Sequence, residues 1–586
     1  MSSASVAGDL GIEGFSHSLP YDLNRAVKAA RANWDNAGGT ARLWKKDASL
    51  WTDAGEDKWL DWHDVVDAQL ADISKFKALA AEIAEDGFRH LVLLGVGSAS
   101  LCSEVFGISF GKQANAPELL VLDSTDPVQI KALRAKIDPA RTLFCVSSKS
   151  GATFEPDLLL QYFFEESRKV VGENAGHHFV AVTDPGSPLE DAARKLGFRQ
   201  FYHGLPGMGG GYSALSDFGL VPHAGMGLDT ERLLKRTAIM VEACKNPDSE
   251  RNPGVALGLI LGAAAKAGRD KVTLLCSKSI GKLGAWLEQL LAQPAGKHGR
   301  GLVPVDREPV LPPGQYGKDR LFVFLSFAGD KDADFESKVT ALEKSGEPVV
   351  RIVLKDLYDL GQTFFQWQIA AAVAASLMGT NPFHQPGAEA GKLAARALLS
   401  EFEEHGALPS EKPLLDQDGI QLFAGELSAD RLLNGGHRAL GGVIRSHLDS
   451  LKPGDYFGLL AYLPMLPEHE AKLQKIRKEI MAAKQVATVL AFGPKLLHGA
   501  GQAYLDETNP GVFLQITYDH AGDLPVPGRN YTFGLVKAAQ ARGDFQVLAG
   551  WRRRVLRIHF GKSPFGKDLA AGLEHLLDLV RAAVTH

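Results

Sequence analysis

The chain has 586 residues, 45% of them hydrophobic and 23% charged, with a formal net charge of −5. That is an ordinary globular composition, too long for one core, with neither the basic stripe of a nucleic-acid binder nor a basic amphipathic helix for membranes. Residues 1–12 lack the basic and apolar regions of a signal peptide, and no apolar run reaches the ~18 residues of a membrane span. Four scattered cysteines, Cys102, Cys145, Cys244 and Cys276, form no CxxC pair and no metal spacing. Reduced, mostly buried thiols in a cytoplasmic protein are the expectation.

In chain order, residues 1–57 read as an N-terminal arm with one helix near 24–36. The spacing of Leu60, Val65, Leu70, Ile73, Phe76 and Leu79 predicts a helix over 59–85, closed by Gly87. A first α/β domain, 58–228, follows. Its strands are expected at 90–94, 119–122, 143–146 and 179–182, and its helices at 127–137, 154–171 and 188–196. A second α/β domain, 229–405, has helices at 229–243 and 254–267, then strands at 271–276, 302–305, 320–327 and 349–354. Its remaining helices are expected at 283–291, 333–344, 363–378 and 388–405. Residues 406–450 are rich in Pro, Gly and charge and read as a linker with some helix. A C-terminal α/β region, 451–586, has strands at 456–462, 486–492, 512–517 and 555–560 and helices at 468–481, 533–541 and 569–584. Apolar strands alternating with helices argue for doubly wound parallel sheets with helices on both faces, and ligands at the carboxyl ends of strands.

Two Gly/Ser loops, at 95–100 and 147–153, sit where such ligands bind, and a third small-residue stretch follows. Gly95-Val-Gly-Ser-Ala-Ser-Leu101 follows the first strand, with Gly97 and Ser98 at its turn. Cys145-Val-Ser-Ser-Lys-Ser-Gly-Ala-Thr-Phe-Glu155 runs from strand to helix. The helix start there offers free N–H groups to an anion, Ser148, Ser150 and Thr153 add hydroxyls, and Lys149 adds a charge. A phosphate monoester fits this loop; an ordinary Ser-rich turn with an N-cap fits it equally. Met208-Gly-Gly-Gly-Tyr-Ser-Ala-Leu-Ser216, with Gly210 and Gly211, reads either as close backbone approach to a ligand or as a hinge.

Taken together, the loops resemble the phosphoglucose isomerase family, built from sugar-isomerase domains. Several stretches look closest to the isomerase half of bacterial transaldolase/phosphoglucose isomerase fusions: Leu43-Trp-Lys-Lys-Asp-Ala-Ser-Leu-Trp51, Gly210-Gly-Tyr-Ser-Ala-Leu-Ser-Asp-Phe-Gly-Leu-Val-Pro222, Trp286-Leu-Glu-Gln-Leu290, Ala461-Tyr-Leu-Pro-Met-Leu-Pro-Glu-His469, Gly493-Pro-Lys-Leu-Leu-His498 and Val526-Pro-Gly-Arg-Asn-Tyr-Thr-Phe-Gly534. The resemblance runs from about 40 to about 560 with gaps. It implies two sugar-isomerase-type domains and interconversion of glucose 6-phosphate and fructose 6-phosphate. In that reaction a histidine opens the ring, a glutamate moves a proton between C2 and C1, and an arginine and a lysine steady the enediolate. No metal or organic cofactor is implied. The implied partner is a small-molecule sugar phosphate, with no nucleic acid and no membrane; assembly into a homo- or hetero-oligomer stays open.

Residue by residue, the match is uneven. Ser148, Lys149, Ser150 and Thr153 keep the family's phosphate loop. The first loop has Gly97, Ser98, Ala99 and Ser100 where the family has two glycines and then serines. The third has Gly209-Gly210-Gly211 where the family has Gly-Gly-Arg. Gln293-Pro-Ala-Gly-Lys297 stands where the family has Glu-Ser-x-Gly-Lys, an amide in place of the base. Lys392, in Gln385-Pro-Gly-Ala-Glu-Ala-Gly-Lys392, matches the family lysine; a solvated helix lysine is its bland reading. His498 falls on a similar His-containing stretch of the fusion type, whose second histidine is Tyr504 here. His384 and His298 are alternatives for ring opening. Two functions compete: an isomerase, weakened by the loss of Glu and Arg, and a non-catalytic sugar-phosphate binder or inactive partner subunit.

Overall fold

The computed structural model describes residues 4–5, 14–292, 301–383, 386–433, 438–495, 501–504, 511–519, 522–561 and 564–585. Among these the strands form three sheets, each with a parallel core. In the first, Glu118–Leu122, His90–Gly95, Thr142–Ser147, Phe179–Thr183 and Gln200–His203 lie side by side, all parallel. Every residue of Thr142–Ser147 is buried, as expected of a central strand covered on both faces. The chain steps from His90–Gly95 to one neighbour and then back to the other. The order therefore reverses between His90–Gly95 and Thr142–Ser147, and the two Gly/Ser loops leave the sheet at that switch point.

The second sheet joins Lys271–Cys276, Val303–Asp306, Arg320–Phe327 and Val349–Leu354 in parallel. The third joins Tyr456–Ala461, Ala487–Phe492, Gly511–Tyr518 and Arg554–Phe560 in parallel. One large core lies between the first two sheets and includes the apolar helices Pro253–Lys266 and Leu360–Met378. The other face of the first sheet packs against Phe154–Val171 and against Phe533–Gly550 of the third region. The second and third regions meet through Arg320, whose Nη1 lies 2.7 Å from Glu308 Oε2 with side chains 0% and 1% exposed. Arg320 Nη2 also donates to Val486 O at 3.2 Å, and Arg477 Nη2 to Asp306 O at 3.1 Å. A buried pair bonded in this way through both guanidinium Nη atoms fixes how two units dock more than it adds net stability. No described helix is long and apolar enough to cross a membrane.

The structure departs from expectation in several places: the strand Gln200–His203 and the helices Gly39–Trp44 and Asp217–Gly225 were not expected, and three further differences have a readable cause. The stretch 59–85 is not one helix: short 3-10 turns precede Val65–Ala71, and Ser74–Asp86 starts afresh after Asp72 leaves the helical conformation. Gly87 does end it, at φ +64. Within the expected arm, Phe15–Ser18 pairs antiparallel with Val349–Leu354; four residues carrying His17 and two serines give no clear alternation to read. Within 406–450, Leu415–Gln417 and Ile420–Ala424 form a hairpin that extends the third sheet beside Arg554–Phe560. Its two-residue turn is Asp418-Gly419, both at positive φ, and the Asp-Gly dipeptide is itself a hairpin signal.

Candidate functional site

The loop after Thr142–Ser147 is held from beneath. Ser148 N donates to Val182 O at 3.0 Å, and Asp184 N to Lys149 O at 3.0 Å. Gly151 sits at φ +64, where a Cβ would lie 2.7 Å from Ser187 Cβ; only glycine lets the loop close here. Ser148 Oγ donates to Thr153 Oγ1 at 2.9 Å. Thr153 is the N-cap residue of Phe154–Val171, yet its side chain makes no capping bond. Without a capping side chain from Thr153, the start of that helix and its dipole favour an anion. Cys145, on the strand leading in, is buried and its thiol is pushed up to about 12 by desolvation, so it is no nucleophile at neutral pH.

The side chain of Lys149 is engaged elsewhere. Its ammonium pairs with Asp184 and donates to Leu205 O at 3.1 Å, tying the loop to the next strand ends. Across the switch point, Gly97 adopts φ 74, ψ −142 as the helix Ser98–Phe110 begins. Ser98 Oγ lies 3.0 Å from Ser213 Oγ, and Ser213 Oγ donates to Gly210 O at 2.7 Å, so the first and third loops are stitched together. Ser100 turns away, fully buried and bonded to Gly97 O at 2.9 Å. Gly211 is buried within the 3-10 turn Gly210–Tyr212.

These loops enclose a cleft of about 390 Å³, lined by Gly97, Ser98, Ser148, Lys149, Ser150, Thr153, Gly210 and Lys392, together with Gln289 and Phe383. A smaller cavity of about 280 Å³ adjoins it, sharing Ser150, Thr153 and Lys392 and adding Glu155, Glu389, Arg396 and Gln540. Lys392 Nζ is 3.7 Å from Glu389 Oε2. Arg396, one turn further along the same helix, donates to Ala152 O at 3.1 Å. Glu155 is buried and accepts Gln540 Nε2 at 2.7 Å. The site therefore joins hydroxyl donors, a helix N-terminus and two cations, an arrangement suited to a phosphate ester.

The structure brings together Gly97, Ser98, Ser148, Lys149, Ser150, Thr153, Gly210 and Lys392, while Gly211 is near but does not line the cleft. Gln293 and His498 lie outside the described residues, as do His298 and His384. The described residues beside those stretches lie close by. The helix Gly501–Tyr504 packs against Pro386–His405, which carries Lys392, and against Leu283–Ala292. Lys495 is half-buried between Asp123 and Glu104 Oε2, the latter at 3.0 Å. Burial alone would push it down, but the two carboxylates hold its pKa above the usual lysine value. Tyr504 is buried in the third-region core beside Tyr456 and Phe513, and burial holds its phenol protonated. Arg396 and Glu155 were missed in the sequence. Arg396 was readable as the i+4 neighbour of Lys392 on one helix face; Glu155 is an unremarked residue in the first turn after the loop.

Residues 66–301 match the family model described as phosphoglucose isomerase. The match takes in all three loops and position 293 but stops short of Lys392. A glucose-6-phosphate isomerase of Carboxydothermus hydrogenoformans is 28% identical over 391 residues, 57% of this chain and 84% of its own length. One from a Synechococcus strain is 30% identical over 358 residues, 53% of this chain and 66% of its own. Among solved structures, a glucose-6-phosphate isomerase of Chlamydia trachomatis superposes with a TM-score of 0.54 at 17% identity, covering 69% of this chain and 94% of that one. A hypothetical protein of Thermus thermophilus gives a TM-score of 0.56 at 23% identity, covering 66% and 100%. Those two structural likenesses bear on the fold alone.

Proposed function

We propose that this chain is a member of the phosphoglucose isomerase family, whose model it matches over residues 66–301, and that its first-sheet cleft takes a hexose 6-phosphate and interconverts glucose 6-phosphate and fructose 6-phosphate. The observation that carries this reading is one cleft holding Ser148, Thr153, the uncapped start of Phe154–Val171 and Lys392. The phosphate sits on the helix start and takes charge-assisted bonds from the loop hydroxyls and N–H groups. The sugar then extends past Ser150 toward Lys392, with Gly97 and Gly210 giving its ring room.

Isomerisation moves a proton between neighbouring carbons, and the family places a glutamate where this chain has Gln293. An amide accepts a hydrogen bond but does not keep a proton, so turnover is slow. Gly211 supplies no cation, and Lys392 with Arg396 provide the positive charge beside the phosphate loop. The ligand requires no metal or organic cofactor, since positioned donors and cations stabilise an enediolate. Four free cysteines, three of them buried, support a reducing, cytoplasmic setting.

Gln293 and Gly211 favour a second reading, in which the protein binds the sugar phosphate without turning it over, alone or as the inactive partner of an active subunit. An assay on the purified protein, coupling glucose 6-phosphate formed from fructose 6-phosphate to its oxidation, separates the two. Turnover above the enzyme-free rate supports the isomerase; binding without turnover supports the binder.

A further inference from the structure

The three parallel sheets have three switch points, and each is used differently. At the first lies the cleft described above. At the second, the loop after Lys271–Cys276 faces the loop after Arg320–Phe327, and the protein fills the space with its own carboxylate. Asp330 accepts Ser277 Oγ at 2.7 Å, Ser279 N at 2.8 Å and Ser279 Oγ at 2.5 Å. A serine loop at a strand end here binds an internal anion.

At the third sheet the protein's own carboxylate is Glu411, shared by Arg557 and Arg542, and it leaves the cleft open. Its order reverses between Tyr456–Ala461 and Gly511–Tyr518. At the carboxyl ends of these strands and of Arg554–Phe560 opens a cleft of about 780 Å³, large enough for a small organic molecule. Arg557 lines it and is only 3% exposed. Its guanidinium is 4.1 Å from the ring centre of Phe423 and 4.8 Å from that of Phe545. Nη2 donates to Glu411 Oε2 at 2.7 Å. Nε and Nη1 are buried and have no hydrogen-bond partner among the described residues. Leaving donors of a buried cation unsatisfied is costly, and an entering anion removes that cost. Arg542 and Lys537 add positive charge to the same wall, although each already has a carboxylate partner, Glu411 and Asp126. Of the acids there, Glu411 is shared by Arg557 and Arg542, Asp519 Oδ1 lies 3.3 Å from His559 Nε2, and Asp523 accepts from Thr532 Oγ1 and from the N–H groups of Leu524 and Gly534.

We propose that this third-sheet cleft is a second binding site, for a small organic phosphate whose oxygens take up the unused donors of Arg557. The cleft is much larger than a bare ion, which favours an ester over inorganic phosphate. The two sites are separated by one helix, Phe533–Gly550: Gln540 faces the phosphate-loop cavity, and Lys537, Ala541 and Arg542 face the other cleft.

The test separates this site from the first. Hydrogen exchange of the wild-type protein, with and without glycerol 3-phosphate, should show protection at 554–561 and 535–542. Calorimetry on a Ser148→Ala/Thr153→Ala background, which disables the first loop, should still show binding of glycerol 3-phosphate. Adding Arg557→Met, or the cleft-filling Ala538→Phe, should weaken it by roughly tenfold or more, the worth of a bond to a charged group. No protection at 554–561 in the wild type overturns the proposal without reference to any variant. Complete loss of binding in the loop background, or unchanged binding in a folded Arg557→Met protein, also overturns it. Equal protection by inorganic phosphate overturns the assignment of an organic ligand.

Discussion

Ser148 Oγ donates to Thr153 Oγ1 at 2.9 Å, so the two hydroxyls that open and close the phosphate loop already point at one place. Ser98 and Ser100 do not act as such a pair: Ser98 is joined to Ser213, and Ser100 is bonded back to Gly97 O. Changing Ser148 and Thr153 together to Ala should weaken fructose 6-phosphate binding by about 2 kcal/mol or more, from the loss of bonds to a charged group. The same change at Ser98 and Ser100 should cost less. Calorimetry on both double variants decides it, and a larger loss at Ser98/Ser100 would put the phosphate on the other loop.

Gly151 carries the backbone of this loop. Its φ of +64 and the 2.7 Å approach of a built Cβ to Ser187 Cβ leave no room for a side chain. Gly151→Ala should cost about 1–2 kcal/mol in backbone strain alone, with further loss from the contact. The loop should shift, so phosphate affinity should fall along with the thermal midpoint. A variant that keeps both would show that the loop conformation does not matter.

Three histidines are buried uncharged. His63 packs on Trp62, His223 lies 2.9 Å from Thr230 Oγ1, and His447 Nε2 lies 3.0 Å from Phe513 O. Desolvation pushes each down to about 3 from the usual 6.5. The folded values lie below the unfolded one, so between them the unfolded chain binds more protons. Their contribution is complete above about pH 6.5 and is lost as pH falls toward about 3. Replacing His223 by Gln should remove about 1.4 kcal/mol per pH unit from the acid fall in stability between about pH 6 and pH 4. Denaturant titrations of wild type and variant at several pH values measure that difference. An unchanged slope would mean His223 is charged in the folded protein.

Much of this was legible from residue order, for identifiable reasons. The strands at 143–146 and 179–182 are continuous apolar runs, which only a sheet buried on both faces accommodates, and the loop after each is marked by small or hydroxyl residues. What escaped notice was short or non-periodic. Phe15–Ser18 lies between Ala4–Ser5 and Val349–Leu354, and its burial alternates, but four residues with one aromatic are too short a pattern to read. The hairpin at Asp418-Gly419 did carry its turn signal, but charged flanks hid the strands. The convergence of Arg396, Glu155 and Gln540 on one cavity arises from packing of Pro386–His405 against Phe533–Gly550, a long-range contact that no local pattern encodes. Lys149 shows the reverse: the motif is kept, but its charge is spent on Asp184.

On the proposed reading, Gln293 limits turnover. General base catalysis contributes roughly 10²–10⁴-fold, and an amide cannot supply it. The wild type should be a poor isomerase, and Gln293→Glu should raise turnover of fructose 6-phosphate. Gly211→Arg is a less direct addition, because Gly211 is buried in its turn; if the pocket accommodates the arginine, the double variant should be faster still. High wild-type activity with no gain from Gln293→Glu would pass the base role to another carboxylate. Glu389, 3.7 Å from Lys392 Nζ, is the first to replace, and Glu155 the second.

The account rests on a phosphate ester being what the first-sheet cleft recognises. Titration calorimetry of the wild-type protein with fructose 6-phosphate and, separately, with fructose tests that without requiring turnover. Binding of the ester, with no measurable heat from the free sugar at the same concentrations, is the predicted result. Equal affinity for fructose and fructose 6-phosphate would contradict it.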